Sequence, residues 1–169
     1  PGYEDDFVFD LGWETSAEAT VTGGFWERDV PEATYFLEFI SNPAEDLPVD
    51  LGNLCYVTGN NPASAGADDV DGGKVTLSSP LMDLRSMSNP VLEFSFWFFN
   101  GGGSSLPNDS FYVELSNGLE QVRLATYTVG SNEWTSIQLE NLQEYLSLTE
   151  QMQVHFITGD DAAQGHLVE

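Results

Sequence analysis

The acidic turn Asp68-Asp69-Val70-Asp71-Gly72-Gly73 is the segment whose residue types come closest to chemistry. Closely spaced carboxylates supply hard oxygen ligands, and calcium takes about six to eight of these, mixing carboxylates with backbone carbonyls. The glycines allow the backbone to wrap an ion. The spacing is not that of an EF-hand, and the segment reads equally as a solvated Asp-Gly hairpin turn. Further acids stand beside apolar runs: Asp10 after Phe7-Val8-Phe9, then Asp50, Asp109 and the pair Asp160-Asp161. An acid there is able to tie a chain end to a loop through a metal, although singly such residues also serve as turn formers.

Aromatic residues offer a different chemistry. Trp26, Trp97, Phe99, Tyr112, Tyr127 and Trp134 include candidates for stacking on sugar rings. Trp97, Phe99 and Tyr112 fall on faces opposite the expected core faces and are the candidate ligand-binding set. The competing reading packs these rings in a second layer, or beneath the long connection 29–50. Catalytic signatures are missing from the sequence. There is no HExxH, no GxSxG, no Cys/His cluster at zinc spacing and no nucleotide-binding glycine pattern. The two histidines, His155 and His166, lie in strand-like segments, and His155 is expected on a wet face. The chain is read as a non-enzyme.

The elements that must carry these residues have a period of two. Leu92, Phe94, Phe96 and Phe98 share one face against Glu93, Ser95 and Trp97. Phe111, Val113 and Leu115 alternate with Tyr112 and Glu114, and Met152, Val154 and Phe156 with Gln153 and His155. Val122 with Leu124 and Ile137 with Leu139 continue the pattern. Such alternation means one buried and one wet face, as in antiparallel sheets. Strands are also expected at 7–11, 17–22, 54–58 and 74–79, separated by turns at Gly23-Gly24, Gly59-Asn60-Asn61-Pro62, Asp71-Gly72-Gly73, 100–105 and Ser116-Asn117-Gly118. Only 141–148 hints at helix, with Leu142, Tyr145 and Leu146 at helical spacing for one or two turns. The expected fold is all-β, a two-sheet antiparallel β-sandwich. One domain over 1–169 is the natural unit for this length.

Charge narrows the partners. Twenty-eight acids face four bases, for a net charge of −24, and the acids are scattered rather than blocked. That surface repels nucleic acid and anionic lipid, tolerates salt and attracts divalent cations. No apolar stretch reaches the length of a membrane span. The single cysteine, Cys55, excludes an intrachain disulfide, and its apolar run Leu54-Cys55-Tyr56-Val57 points to burial. Because the sequence opens Pro1-Gly2 without Met and closes on the strand-like His166-Leu167-Val168-Glu169, it is read as a piece of a larger chain.

Several segments, in order, carry a family resemblance: Phe7-Val8-Phe9-Asp10 with Gly12-Trp13, residues 25–31, 53–59, Asp69-Val70-Asp71-Gly72-Gly73 with 74–84, and 89–97. Asn100-Gly101-Gly102-Gly103, Val113-Glu114-Leu115-Ser116-Asn117, Trp134 and Leu167-Val168-Glu169 continue it. The chain resembles a jelly-roll appendage module of large secreted bacterial proteins and, more distantly, the MAM domain and concanavalin-like folds. The resemblance implies a two-sheet jelly roll with calcium near the chain ends. By position it makes Asp10 and Asp50 candidate ligands, with Asp69 and Asp71 at a separate site. Two features depart from the family. Gly118-Leu119-Glu120-Gln121 replaces its usual turn, and its last strand continues beyond Val168-Glu169. The expected function is a non-catalytic, calcium-stabilised extracellular module serving adhesion, docking or spacing, with neighbouring domains of the parent chain as partners. The alternatives are a carbohydrate-binding module meeting a polysaccharide or cell surface, and a subunit of an extracellular fibre.

Overall fold

The computed structural model of the protein describes residues 2–62, 64–101 and 107–160. Gly102, Gly103, Asp161, His166 and Leu167-Val168-Glu169, which entered the sequence reading, lie outside the described residues. The strands are β1 (Glu14–Ala17), β2 (Glu27–Asp29), β3 (Tyr35–Phe36), β4 (Phe39–Ile40), β5 (Cys55–Val57), β6 (Lys74–Ser78), β7 (Leu92–Phe96), β8 (Phe111–Ser116), β9 (Gln121–Tyr127), β10 (Thr135–Leu139) and β11 (Gln153–Gly159). A single 3-10 turn, Leu142–Glu144, is the outcome at the expected helical hint. All ladders are antiparallel.

One five-stranded sheet, in the order β1-β6-β11-β8-β9, organises the molecule. Its strands are rich in β-branched and aromatic residues, which suit a pleated, half-buried surface. Val75 and Leu77 of β6, Val113 and Leu115 of β8 and Val154 of β11 turn to one face and are buried there. A bulge between Val113 and Glu114 inserts an extra residue into β9. The bulge resets the alternation, so that Arg123 stands opposite Glu114 on the outer face while Val122 stands opposite Leu115.

Three two-stranded sheets complete the strand inventory: β10-β7, β2-β5 and β3-β4. Rings of β7 rest on the inner face of the large sheet. Phe94 meets Phe156 at 5.2 Å, and Phe96 meets Phe111 at 4.9 Å and Tyr127 at 4.7 Å between centroids. Such offset contacts add to the burial of their area. The fold is therefore all-β and antiparallel, with four separate sheets in place of the two expected.

Two sequence expectations gave way to local polar chemistry. Residues 7–9 form bends, and no strand forms over 7–11. Phe7 adopts a left-handed φ of 59°, held by its N–H donating to Asp5 Oδ1 at 2.8 Å. Asp5 Oδ2 also accepts from the Trp13 indole at 2.8 Å, so one carboxylate folds the segment on itself. The strand expected at 17–22 ends at Ala17, where the chain turns through a Val21 N–H to Glu18 C=O bond of 3.1 Å. The connection 29–50 contains the short hairpin β3-β4.

Candidate functional site

The connection 29–50 is fastened from several sides. The Trp97 indole donates to Ser41 C=O at 2.6 Å, and the Trp134 indole to Glu45 C=O at 3.3 Å. Asn42 donates to the carbonyls of Thr58 and Gly59 at 2.8 and 3.0 Å. Phe36 rests against Phe99 with centroids 6.3 Å apart. Trp97 and Trp134 meet edge to face at 78° rather than lying coplanar. Two of the three candidate ligand-binding aromatics, Trp97 and Phe99, thus pack against this connection. The third, Tyr112, is on a different sheet. It is 8% exposed, with Arg123 3.9 Å and Lys74 5.3 Å from its ring centre.

Fastening the connection folds residues 44–53 into an acidic loop. Asp46 Oδ1 caps the Leu47 N–H at 2.8 Å, and the Asp50 N–H closes on Leu47 C=O at 3.3 Å. Gly52 has a φ of 94°, and a Cβ there would stand 2.7 Å from Val8 Cγ2. The absence of that carbon lets the N-terminal segment pass close by, which brings Asp6 near the loop. The result is a cavity of about 380 Å3 with Asp46, Asp50 and the backbone of the loop in its wall.

Asp46 is 8% exposed. Its Oδ2, like Oδ1 of Asp50, is buried with no hydrogen-bond partner. Burial pushes the Asp46 carboxyl above the ordinary carboxylate range; the Leu47 N–H opposes this and the charge of Asp6 adds to it. Asp50 is raised first by burial and then by Asp46 and Asp6. The neighbouring Cys55 thiol is pushed up to about 12 by burial and by Asp46, Asp50 and Asp29, which leaves it inert as a nucleophile. Buried carboxylate oxygens without donors are costly, and hard cations relieve that cost.

Asp50 therefore joins Asp46 and Asp6 rather than Asp10. Asp10 lies beside Tyr56, whose hydroxyl is raised by burial and then by Asp10, and its own Oδ1 accepts from the Gly12 N–H at 3.0 Å. The turn carrying Asp69 and Asp71 is elsewhere. The Asp71 N–H reaches Gly23 C=O and its carbonyl accepts from the Thr22 N–H. A Cβ on Gly24 would fall 2.4 Å from the Val70 backbone, so the glycine pair lets the two turns touch. Asp69 is buried, and Asp71 is raised by burial and by Asp160. Among the described residues no three His, Cys, Asp or Glu side chains converge as a metal-holding group. Sequence reasoning missed Asp46 and Asp6. The available signal was Asp46 standing four residues before Asp50 in a proline-bounded loop.

A second, larger cavity of about 1510 Å3 opens between the inner face of the five-stranded sheet and the small sheets. All four tryptophans line it, together with Phe94, Phe96 and Phe156. His155 lies outside both cavities, on the outer sheet face. Its Nδ1 and the Ser78 hydroxyl are 2.8 Å apart, and burial lowers its pKa against the opposing pull of Glu114. That Ser-His contact sits on an open sheet face, outside the walls of both cavities, so the contact reads as a cross-strand polar ladder.

No protein-family model matches the chain, and no curated protein matches it. No helix among the described residues is long and apolar enough to cross a membrane.

Proposed function

We propose that the protein is a non-catalytic extracellular module of jelly-roll type, stabilised by calcium at the Asp46–Asp50 loop, that serves adhesion, docking or spacing in a larger secreted or surface protein. In this reading β2-β5 and β7-β10 are two halves of one layer packed on the five-stranded sheet. The ring contacts of β7 with β8, β9 and β11 support that pairing of layers.

One observation carries the calcium reading: Asp46 and Asp50 each hold a buried carboxylate oxygen without a hydrogen-bond donor, in the wall of one cavity. The two carboxylates and the carbonyls of their loop are the oxygen types that calcium takes, and a divalent charge offsets the mutual repulsion of Asp46, Asp50 and Asp6. Bound calcium supplies rigidity rather than reaction chemistry. A net charge of −24 favours its accumulation at the surface.

A cation bound only by the folded state stabilises it by mass action, about 2.7 kcal/mol at a hundred times Kd. For a chain of this size that corresponds to a rise in Tm of about 5–10 °C. Calorimetry with calcium, magnesium and chelator in low salt is the test. The expected result is a calcium-specific rise that Asp46→Asn and Asp50→Asn abolish. A melting curve identical in calcium and chelator removes the proposal.

A further inference from the structure

We propose that the larger cavity is an acceptor groove for one extended peptide strand, apolar on its inward side and flanked by Lys or Arg, which pairs with the open edges of β5 and β7. The inference rests on the reading that β2-β5 and β7-β10 share a layer.

Three observations meet there. First, the edges are open. Among the described residues, the backbone of Cys55–Val57 pairs only with β2 and that of Leu92–Phe96 only with β10. Both segments line the same cavity, as do Ser136, Ile137 and Gln138 of β10, whereas β2 stays out of its wall. A strand with an unpaired edge is a template for another strand, and here two templates border one space.

Second, the space is large enough for a strand. Strands lie about 4.8 Å apart within a sheet and layers about 10 Å apart, at about 3.3 Å per residue. One strand of about nine residues fills a volume close to the 1510 Å3 present. The floor is apolar, with Leu77, Phe94, Phe96 and Phe156, and Phe94 and Phe96 are only half-buried as the layer stands. Alternate apolar residues of an incoming strand would finish that burial, removing apolar surface from water.

Third, the walls select charge. Glu4, Asp5, Asp6, Asp46, Asp50 and Glu93 line the cavity, and no Lys or Arg does. A second copy of this chain is a poor donor, because only four bases serve 28 acids. Cationic flanks on the incoming peptide meet these acids and would also raise its rate of capture.

The probe is the capped peptide Lys-Val-Thr-Val-Lys-Val-Thr-Val-Lys, titrated into the full chain with tryptophan fluorescence and backbone amide hydrogen exchange as readouts. The expected result is saturable binding in the micromolar range, with at least tenfold slower exchange at amides of β5 and β7. The same peptide N-methylated at alternate amides, a scrambled peptide without alternation, and one with Glu for Lys each bind at least tenfold more weakly. Fluorescence change without slower exchange, or equal binding by the N-methylated peptide, overturns strand pairing and leaves a general apolar pocket. Equal binding by the Glu peptide overturns the charge selection. No binding at millimolar peptide overturns the whole inference. All titrations are run in calcium and in chelator. A calcium-insensitive Tm together with slowed exchange removes the calcium reading while the groove stands, and the converse result separates the two the other way.

Discussion

The five-stranded sheet and the two-stranded sheets β2-β5 and β7-β10 are built from the same two-residue alternation, yet they differ in how completely their parts are partnered. In the large sheet β6, β11 and β8 are each paired on both sides, and Val75, Val113 and Leu115 are fully buried. Its outer-face acid is also partnered. Burial alone would raise Glu114, but hydrogen bonds from Arg123 and Gln121 outweigh that and hold its carboxyl below the ordinary range. In the two-stranded sheets each strand has a neighbour on one side only, the rings of β7 are half-buried, and the acids of the loop 44–53 keep oxygens without donors. Burial is thus decided less by the side chains that a strand carries than by whether a neighbour arrives at each of its edges.

The largest expected effect tests packing. Leu115→Ala removes a fully buried side chain from the large sheet and is expected to cost about 3 kcal/mol in urea unfolding. Phe94→Ala removes a bigger side chain, but one that is only half-buried, and is expected to cost about 1 kcal/mol, well under the usual toll for a buried Phe. Equal costs at the two positions would break the comparison, because they would mean that both sheets are equally well packed.

A smaller effect tests the acids, and here the two regions carry opposite signs. Asp46 and Asp50 have folded-state values raised above 3.8. Their stabilisation is complete below about pH 3.8 and is lost as the pH rises through their folded values. Glu114 has a folded value lowered below 4.5, so its contribution is present above that pH and is lost as the pH falls through the folded value. In chelator at pH 7, Asp46→Asn is therefore expected to stabilise the protein by about 1 kcal/mol, since it relieves an unpartnered buried charge. Glu114→Gln is expected to destabilise it. The Asp46 gap closes as the pH is lowered to about 3.8, and the Glu114 gap only as the pH falls below 4.5 through its folded value. Melting curves from pH 7 to about pH 3 read this directly; gaps of the same sign at pH 7 would contradict the assignment.

Much of the strand pattern was legible in the sequence, because alternation over five to seven residues leaves few other folds. β6, β7, β8, β9, β10 and β11 fall where the pattern placed them, with Phe98, Val113 and Leu115 turned inwards as expected. The segment 7–11 was misread because Phe7-Val8-Phe9 has strand composition, whereas the Asp5 carboxylate offers its backbone a stronger local partner. The acidic loop was half legible. Asp50 was named, but its companions Asp46 and Asp6 arrive through Gly52 and through the tethers from Trp97 and Trp134, contacts that join residues far apart in the chain. Alternation placed Trp97 away from the core; it carries no information on whether a loop will cover that face.

The smallest expected effect concerns the outer face of the large sheet. Arg123 donates to Glu114 Oε1 through Nε at 3.0 Å and through a terminal nitrogen at 2.8 Å, while its guanidinium lies over the Tyr112 ring. The arginine is about half exposed, so water screens the ion pair and most of the benefit comes from stacking and the two-pronged geometry. Arg123→Gln is expected to cost about 1 kcal/mol, and Arg123→Lys about half of that, since lysine keeps the charge without the planar fork. A lysine variant as stable as wild type would show that charge alone partners this face. The contrast with the acidic loop would then reduce to the presence of one cation here and its absence there, which a single lysine introduced beside Asp46 should erase.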